Sequence, residues 1–398
     1  MHAVQLLHKR LQDTCPHIHT RRLTVLITAT ATLTRHHLLT ITELGRALIS
    51  DALVKHNIKR MDRLVGNALL FAERAGIYAA LAKWLLGSAK QPTIIVDWSD
   101  LTEDRQWQLL RASVPAGGRA LTLYEEVHPL KRLANRRVHR RFLANLKSLL
   151  PSGLRPILVT DAGFRATWFK MVSALDWDWV ARIRNRDFVR LQDEESWKPC
   201  KALHARATTK AKALGEASWV RSNPTPCTLH LVRKRKQGRI KKSAFGERVC
   251  SSHSRKCAAR EREPWLLAAS LGLGDRSAQA IVGIYRARMQ IEEAFRDIKS
   301  ERLGLGLSAS HTRDPERLSI LLLIGALALF LLWLAGSASI KQQTHRHYQS
   351  NTTRDRLVLS AIYLGMQIMR RTPAAFTRQQ LLCPIVELQA HLIGGYHD

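Results

Sequence analysis

Acid is scarce in this chain of 398 residues: 32 Asp and Glu stand against 63 Lys and Arg, a formal net charge of +31. A surplus of that size repels itself unless a polyanion offsets it, and DNA is the expected one. Basic residues cluster in Lys131–Arg141, Arg233–Lys242 and Ser254–Arg262. Cysteine is also sparse. Cys15, Cys200, Cys227, Cys250, Cys257 and Cys383 are irregularly spaced, which argues against a disulfide framework and for a reducing, cytoplasmic setting. Cys250-x2-His253-x3-Cys257 has some metal character, with Cys200 or Cys227 as a fourth ligand, but the paired Cys-x2-Cys knuckles of a structural zinc site are missing. No Walker or dinucleotide glycine motif occurs, so nothing asks for ATP. No N-terminal signal peptide is read, because His8, Lys9, Arg10 and Gln12 interrupt any apolar core. The main long apolar run is Leu318–Ala335, between Arg317 and Lys341, and it reaches the minimum for a membrane span at about 18 residues. Its alanine and glycine content suits close packing in a large α/β core, so a buried helix and no membrane contact are expected.

The few acids are placed with order. Pro92–Asp97 and Pro156–Asp161 are short β-branched runs that read as strands buried on both faces, each ending in aspartate. Strand ends in open α/β sheets are where sites gather. Farther on, Tyr285, Arg288, Glu292 and Lys299 recur at helical spacing, within about 60° of one another at 100° per residue. One helix face then offers a carboxylate for a divalent metal and three donors for phosphate oxygens. Asp97, Asp161 and Glu292 together supply the carboxylates that two-metal phosphoryl transfer needs. A lone strand-end Asp is most often a turn former, and it is the combination that counts. Helical phase turns Glu293 and Asp297 about 100° or more from that face, and Asp100 is at best a supporting residue.

The elements between the acids read as βββαβαβ. After the strand ending at Asp97 come Trp107–Val114, a turn at Ala116-Gly117-Gly118, and Arg119–Val127 as a hairpin. Leu130–Leu150 reads as a helix stopped by Pro151, Phe164–Leu175 as a second helix and Trp177–Ile183 as a fifth strand.

With this order and these acids, the chain resembles the DDE transposases on the ribonuclease-H-like fold. The Tyr-x2-Arg-x3-Glu-x6-Lys spacing is similar to the signature of the bacterial insertion-sequence family that includes the transposases of transposons five and ten. The transposon-ten type is nearest, in Val-Asp-Trp-Ser-Asp around Asp97, Asp-Ala-Gly-Phe from Asp161, Gln-Ile-Glu-Glu around Glu292 and Asn57-Ile-Lys-Arg. The resemblance covers nearly the whole chain. It implies an α/β ribonuclease-H-like core with a β-rich insertion and a helical N-terminal DNA-binding domain. It also implies Asp97, Asp161 and Glu292 as ligands of two Mg²⁺, with Mn²⁺ able to substitute, and Tyr285, Arg288 and Lys299 as phosphate clamps. Cleavage at transposon ends would pass through a DNA hairpin and end in strand transfer, by a homodimer in the synaptic complex. In the transposon-five type a tryptophan from the insertion flips a base, and Trp265 is the nearest candidate here; the family's other base-contacting tryptophan, just after the signature arginine, is replaced by Met289.

Five parts are expected. Residues 1–80 form a helical end-binding domain, in which Thr40 opens a capping box with Glu43 and Asn57 caps a basic helix carrying Lys59, Arg60 and Arg63. Residues 81–186 and 271–345 form the core, 187–270 the insertion with strands at Thr228–Val232 and Trp265–Ser270, and 346–398 a helical C-terminal region. In that last part Arg354–Arg371, with Leu357, Ile362, Leu364, Ile368 and Met369, is either a dimerisation helix or a core helix. A nuclease that does not join strands and an inactive DNA-binding descendant are the alternatives. The expected location is the bacterial cytoplasm, at the nucleoid.

Overall fold

The computed structural model describes residues 2–184, 187–234, 251–252, 263–353, 355–372 and 376–394. In chain order the principal elements are α1 (His2–Thr14), α2 (Thr20–His36), α3 (Ile41–Arg46), α4 (Val54–Val65), α5 (Ala68–Leu86), β1 (Thr93–Asp100), β2 (Trp107–Pro115), β3 (Ala120–Pro129), α6 (Arg136–Leu149), β4 (Ile157–Thr160), α7 (Ala166–Ser173) and β5 (Asp178–Ile183). There follow β6 (Phe188–Leu191), β7 (Lys198–Pro199), β8 (Lys212–Trp219), β9 (Thr225–Val232), β10 (Trp265–Ala269), α8 (Ala278–Ala287), α9 (Met289–Lys299), α10 (Pro315–Lys341), α11 (Ala361–Arg371) and α12 (Arg378–Gly394). The protein is mixed α/β, and its run from β1 to β5 follows the βββαβαβ order. Two compact units divide it: Met1–Leu154 with Met289–Gly395, and Arg155–Arg288.

In the first unit β1, β2 and β3 form an antiparallel meander. Gly117 and Gly118 turn the hairpin with φ of +64° and +88°, values that glycine adopts without a Cβ clash. The register sets Asp97 opposite Arg111, and Arg111 opposite Glu125. Trp98 stands opposite Leu110, and Leu110 opposite Glu126, so the two rows face opposite sides.

Helix α10 is the core of this unit. It is long and apolar enough to cross a membrane, yet its most apolar stretch is buried throughout, against α2, α5, α11, α12 and β3. A run apolar on every side is what a fully enclosed helix requires. Two glycines set its closest crossing: a Cβ at Gly336 would overlap the Ala361 carbonyl, and one at Gly365 the Leu332 carbonyl. Helix α11 therefore spends Ile362, Leu364, Ile368 and Met369 on the core, while Leu357 lies outside it and is exposed.

Three local expectations need correction. Asn57 caps no helix: it lies inside α4, buried, where it accepts from Ser50 Oγ at 2.9 Å and fixes the loop before the helix. Helix α6 starts at Arg136 rather than Leu130, because Asn135 caps it through Arg137 N and Val138 N. The stretch from Tyr285 to Lys299 is two helices, α8 and α9, separated at Arg288. Thr40 does cap α3, accepting from Glu43 N at 3.2 Å.

In the second unit the strands run in the order β4-β5-β10-β9-β8-β6-β7, with β4 and β5 parallel and the remaining neighbours antiparallel. Its core gathers Val159, Val180, Leu267, Ile281, Ile284 and Tyr285. The residues of the Cys250/His253/Cys257 reading, and most of the two basic clusters beside it, lie outside the described residues.

Candidate active site

Strand β1 is buried from Thr93 to Val96 and emerges at Asp97, which is half-buried and accepts from Trp98 N at 2.8 Å. Alternation puts Asp97 and Ser99 on one face and Trp98 and Asp100 on the other. Helix α9 covers the first face. Its Lys299 Nζ donates to Ser99 Oγ at 2.6 Å and also to the Asp100 carbonyl. Glu292 is exposed, about two turns before Lys299 on the same side of α9. Asp100 turns its carboxylate away, accepting from Gln108 Nε2 at 3.0 Å and pairing with Arg105 at 3.4 Å. Strand geometry thus separates the two aspartates, which spacing alone did not do.

Helix α9 is fastened at two further points. Gln290 Oε1 accepts from Ala116 N and Gly118 N, both at 3.1 Å, which ties its first turn to the β2–β3 hairpin. Asp297, 4 % exposed, meets Arg119 Nε at 2.7 Å, though off the hydrogen-bonding line. Burial lifts the Asp297 carboxyl to about 6, against the pull of Arg119 and Arg296. Glu293 pairs with Arg296. Glu293 and Asp297 therefore serve the back of the helix.

Burial, with Arg111 second, lowers Lys299 to about 8, while Asp100 works the other way. Arg111 is fully buried, donates from Nε to Glu125 Oε2 at 2.7 Å, and shares Glu125 with the Tyr78 hydroxyl, also at 2.7 Å. On the opposite face Trp98 Nε1 donates to His139 Nε2 at 3.1 Å; burial pushes that imidazole down to about 4, which keeps it a neutral acceptor. Burial raises Glu126, but hydrogen bonds with His128, Tyr124 and Asn145 outweigh it and hold the carboxyl low. Arg111, Arg119, Gln290 and His139 were not found in the sequence, because each matters through a partner distant along the chain.

In the second unit Asp161 follows β4 directly, and its carboxylate accepts from Gly163 N at 2.8 Å. Tyr285 is buried, its ring edge-on to Trp265 at 5.0 Å and within 5.9 Å of the Arg288 guanidinium. Burial raises the phenol pKa, Arg288 and Arg182 oppose it, and Asp161 adds to the rise. Trp265 does not stand out to meet a base. It is 4 % exposed, flanked by Tyr285, Arg182 and Lys234, so the indole belongs to the core and supports Tyr285. A buried apolar strand, Trp-Leu-Leu-Ala-Ala, leaves it no other place.

Lys59, Arg60 and Arg63 are exposed on α4 and, with His19, Arg21 and His56, line a basic cleft of about 610 Å³. As for metal, the donor chemistry fits: three carboxylates are hard oxygen ligands suited to Mg²⁺ or Mn²⁺. Among the described residues no three His, Cys, Asp or Glu side chains are already gathered to hold an ion. Asp97 and Glu292 belong to the first unit and Asp161 to the second.

Asp97 where β1 emerges from the core, Asp161 just past β4 and Glu292 on α9 are thus carried by the sheet and one helix of a strongly basic α/β protein. The profile of the family described as "Transposase DDE domain" matches residues 88–331, more than half of the chain, and the protein belongs to that family. Members are DNA-processing enzymes that generally use divalent metal ions. Comparison with curated proteins gave no match. Among solved structures the chain is similar to one described as "Cryo-EM structure of piggyBac transposase synaptic complex with hairpin DNA", at 12% identity and a TM-score of 0.42, over 96% of this chain and 78% of that one.

Proposed function

We propose that the protein is a cut-and-paste DNA transposase of the transposon-ten type, built on a ribonuclease-H-like core, acting in the cytoplasm as a homodimer on paired transposon ends. The observation that carries this reading is the junction of α9 with β1: the helix bearing Glu292 is tied through Lys299 to Ser99, two residues beyond Asp97. Asp97 on β1 and Glu292 and Lys299 on α9 therefore stand on two elements of one unit that a hydrogen bond joins, which supports the reading.

Asp97, Asp161 and Glu292 are the residues that would hold two divalent ions, which when bound activate the attacking oxygen and stabilise the leaving one in an in-line displacement. The chain's own part is positioning. Lys299, half-buried and fixed by Ser99, presents an ammonium to a phosphate oxygen. Arg288 lies against Tyr285, and the buried phenol holds that guanidinium while the fork engages phosphate. Lys59, Arg60 and Arg63 bind the terminal repeat. Nicking, hairpin formation, hairpin opening and strand transfer then use one site in succession.

Glu292→Gln tests the reading. It abolishes all four steps and leaves binding of an end duplex within about threefold. A Gln variant that still cleaves removes Glu292 from the site, and a wild type that cleaves without joining is a nuclease instead.

A further inference from the structure

Across the meander, Asp97, Arg111 and Glu125 stand in one cross-strand row, on the face that α9 covers. Cross-strand neighbours on one face lie within side-chain reach. Arg111 is 0 % exposed and Glu125 1 %, so a complete ion pair has been taken out of water. The pair is fixed from one side, where Tyr78 and Arg111 Nε both hydrogen-bond Glu125. The other end of the guanidinium is not satisfied. Neither Nη1 nor Nη2 has an aligned acceptor among the described residues, although Nη2 lies 2.6 Å from Glu125. Phe295 of α9 lies within cation–π reach of Arg111, at 5.3 Å, and of Lys299, at 5.5 Å.

A buried ion pair kept only for stability is replaceable by apolar residues of similar volume, and unsatisfied buried donors add further cost. Such costs persist where a site needs them. We infer that Arg111 is a positioning residue for the candidate site: Glu125, itself held by Tyr78, clamps the Nε and Nη2 side of its guanidinium, Nη1 is the donor that takes up the Asp97 carboxylate from the opposite strand when the site is loaded, and Phe295 sets the place of Lys299. Nearby positive charge in a dry environment disfavours a second cation. Arg111 is indeed the second contributor, after burial, to the lowering of Lys299. This inference rests on the proposed transposase site.

Arg111→Met alone strands Glu125 and unfolds part of the population, so the informative protein is Arg111→Met with Glu125→Gln, which removes both charges and keeps an acceptor for Tyr78. The pair variant melts near the wild-type temperature and binds an end duplex with unchanged affinity, but its Mg²⁺-dependent cleavage rate falls about 10- to 100-fold, the usual effect of losing a group that orients metal ligands. Cleavage at the wild-type rate would make the Arg111–Glu125 pair structural only. A second readout needs no cleavage: the titration of Lys299, followed by NMR of ¹³C-dimethylated lysines and assigned with Lys299→Arg. In the pair variant it moves up toward the ordinary lysine value; a Lys299 titration that does not move overturns the inference. If the wild type cleaves no end duplex, the proposed function fails, and the lysine titration still decides the role of Arg111.

Discussion

Lys299 Nζ donates to Ser99 Oγ at 2.6 Å, which joins the last turn of the helix bearing Glu292 to the strand bearing Asp97. The two residues are 200 positions apart in the chain. The lysine therefore does two things: it closes the end of α9 onto the sheet, and it places a cation beside Ser99 and Asp100, on the strand that carries Asp97.

That double role predicts a pH dependence. Lys299 is lowered to about 8, so its ammonium is retained below that pH and lost above it. Between about 8 and 10.5 the folded protein binds fewer protons at this site than the unfolded chain, so folding stability rises with pH there while phosphate attraction falls. Affinity for an end duplex is expected to drop as pH rises through about 8. Lys299→Arg, whose guanidinium stays charged, moves that drop to higher pH. Fluorescence anisotropy across pH 6.5–9.5 checks it, and identical profiles for the two proteins would refute the role.

Arg119 balances the buried Asp297. The Asp297 carboxyl sits at about 6 with Arg119 pulling it down, so Arg119→Met moves it higher and leaves a poorly compensated buried group, with an expected loss of about 3 kcal/mol at pH 7.5. The sign follows from a raised acid: the folded variant takes up a proton at a higher pH than wild type or the unfolded chain, so its deficit against wild type shrinks as pH falls to 6 and below. Urea unfolding at pH 7.5 and 5 should show the deficit shrink at the lower pH.

Gln290 is the fastening at the other end of α9. Gln290→Ala removes both acceptor contacts to the hairpin turn; Ala116 N keeps its bond to the Arg119 carbonyl at 2.6 Å, and Gly118 N is left to find water. The expected cost is about 1–2 kcal/mol in stability. Cleavage should slow at unchanged end affinity, because Glu292 sits two residues away on the loosened turn. Single-turnover kinetics at saturating protein separate the two effects.

The α10–α11 crossing predicts where the core has no slack. Gly336→Ala drives a methyl into the Ala361 carbonyl, and backbone cannot move aside as a flexible side chain can. A loss of about 1–3 kcal/mol, or failure to fold, is expected. Leu357→Ser, at an exposed site before α11, should change the melting temperature little.

Much of the fold around these residues was legible because it is local. Asp161 follows the short β-branched run of β4 and Gly117-Gly118 marks the hairpin between β2 and β3, whereas β1 runs past Asp97 to Asp100, because pairing with β2 continues after the apolar run stops. The break at Arg288 was not legible: no proline or glycine interrupts Tyr285–Lys299, and spacing alone made one helix face of two helices. Asn57 misled because its amide has a loop partner, Ser50, rather than a helix end. Strands β6–β8 escaped notice because they are short or mostly exposed, so no apolar alternation announces them. Arg111 could be recognised only from strand register, since a charged residue in an apolar run reads as an exposed position until Glu125 is placed opposite it.

The central claim is that this acid set cuts and joins DNA. Its most direct test is Mg²⁺-dependent cleavage and joining of a labelled duplex carrying the element's own end, with wild type beside Asp97→Ala. Hairpin and joined products from the wild type that vanish in the variant are the predicted result. Products that persist in Asp97→Ala, or an end that both proteins bind and neither cuts under conditions where a related transposase works, would contradict it.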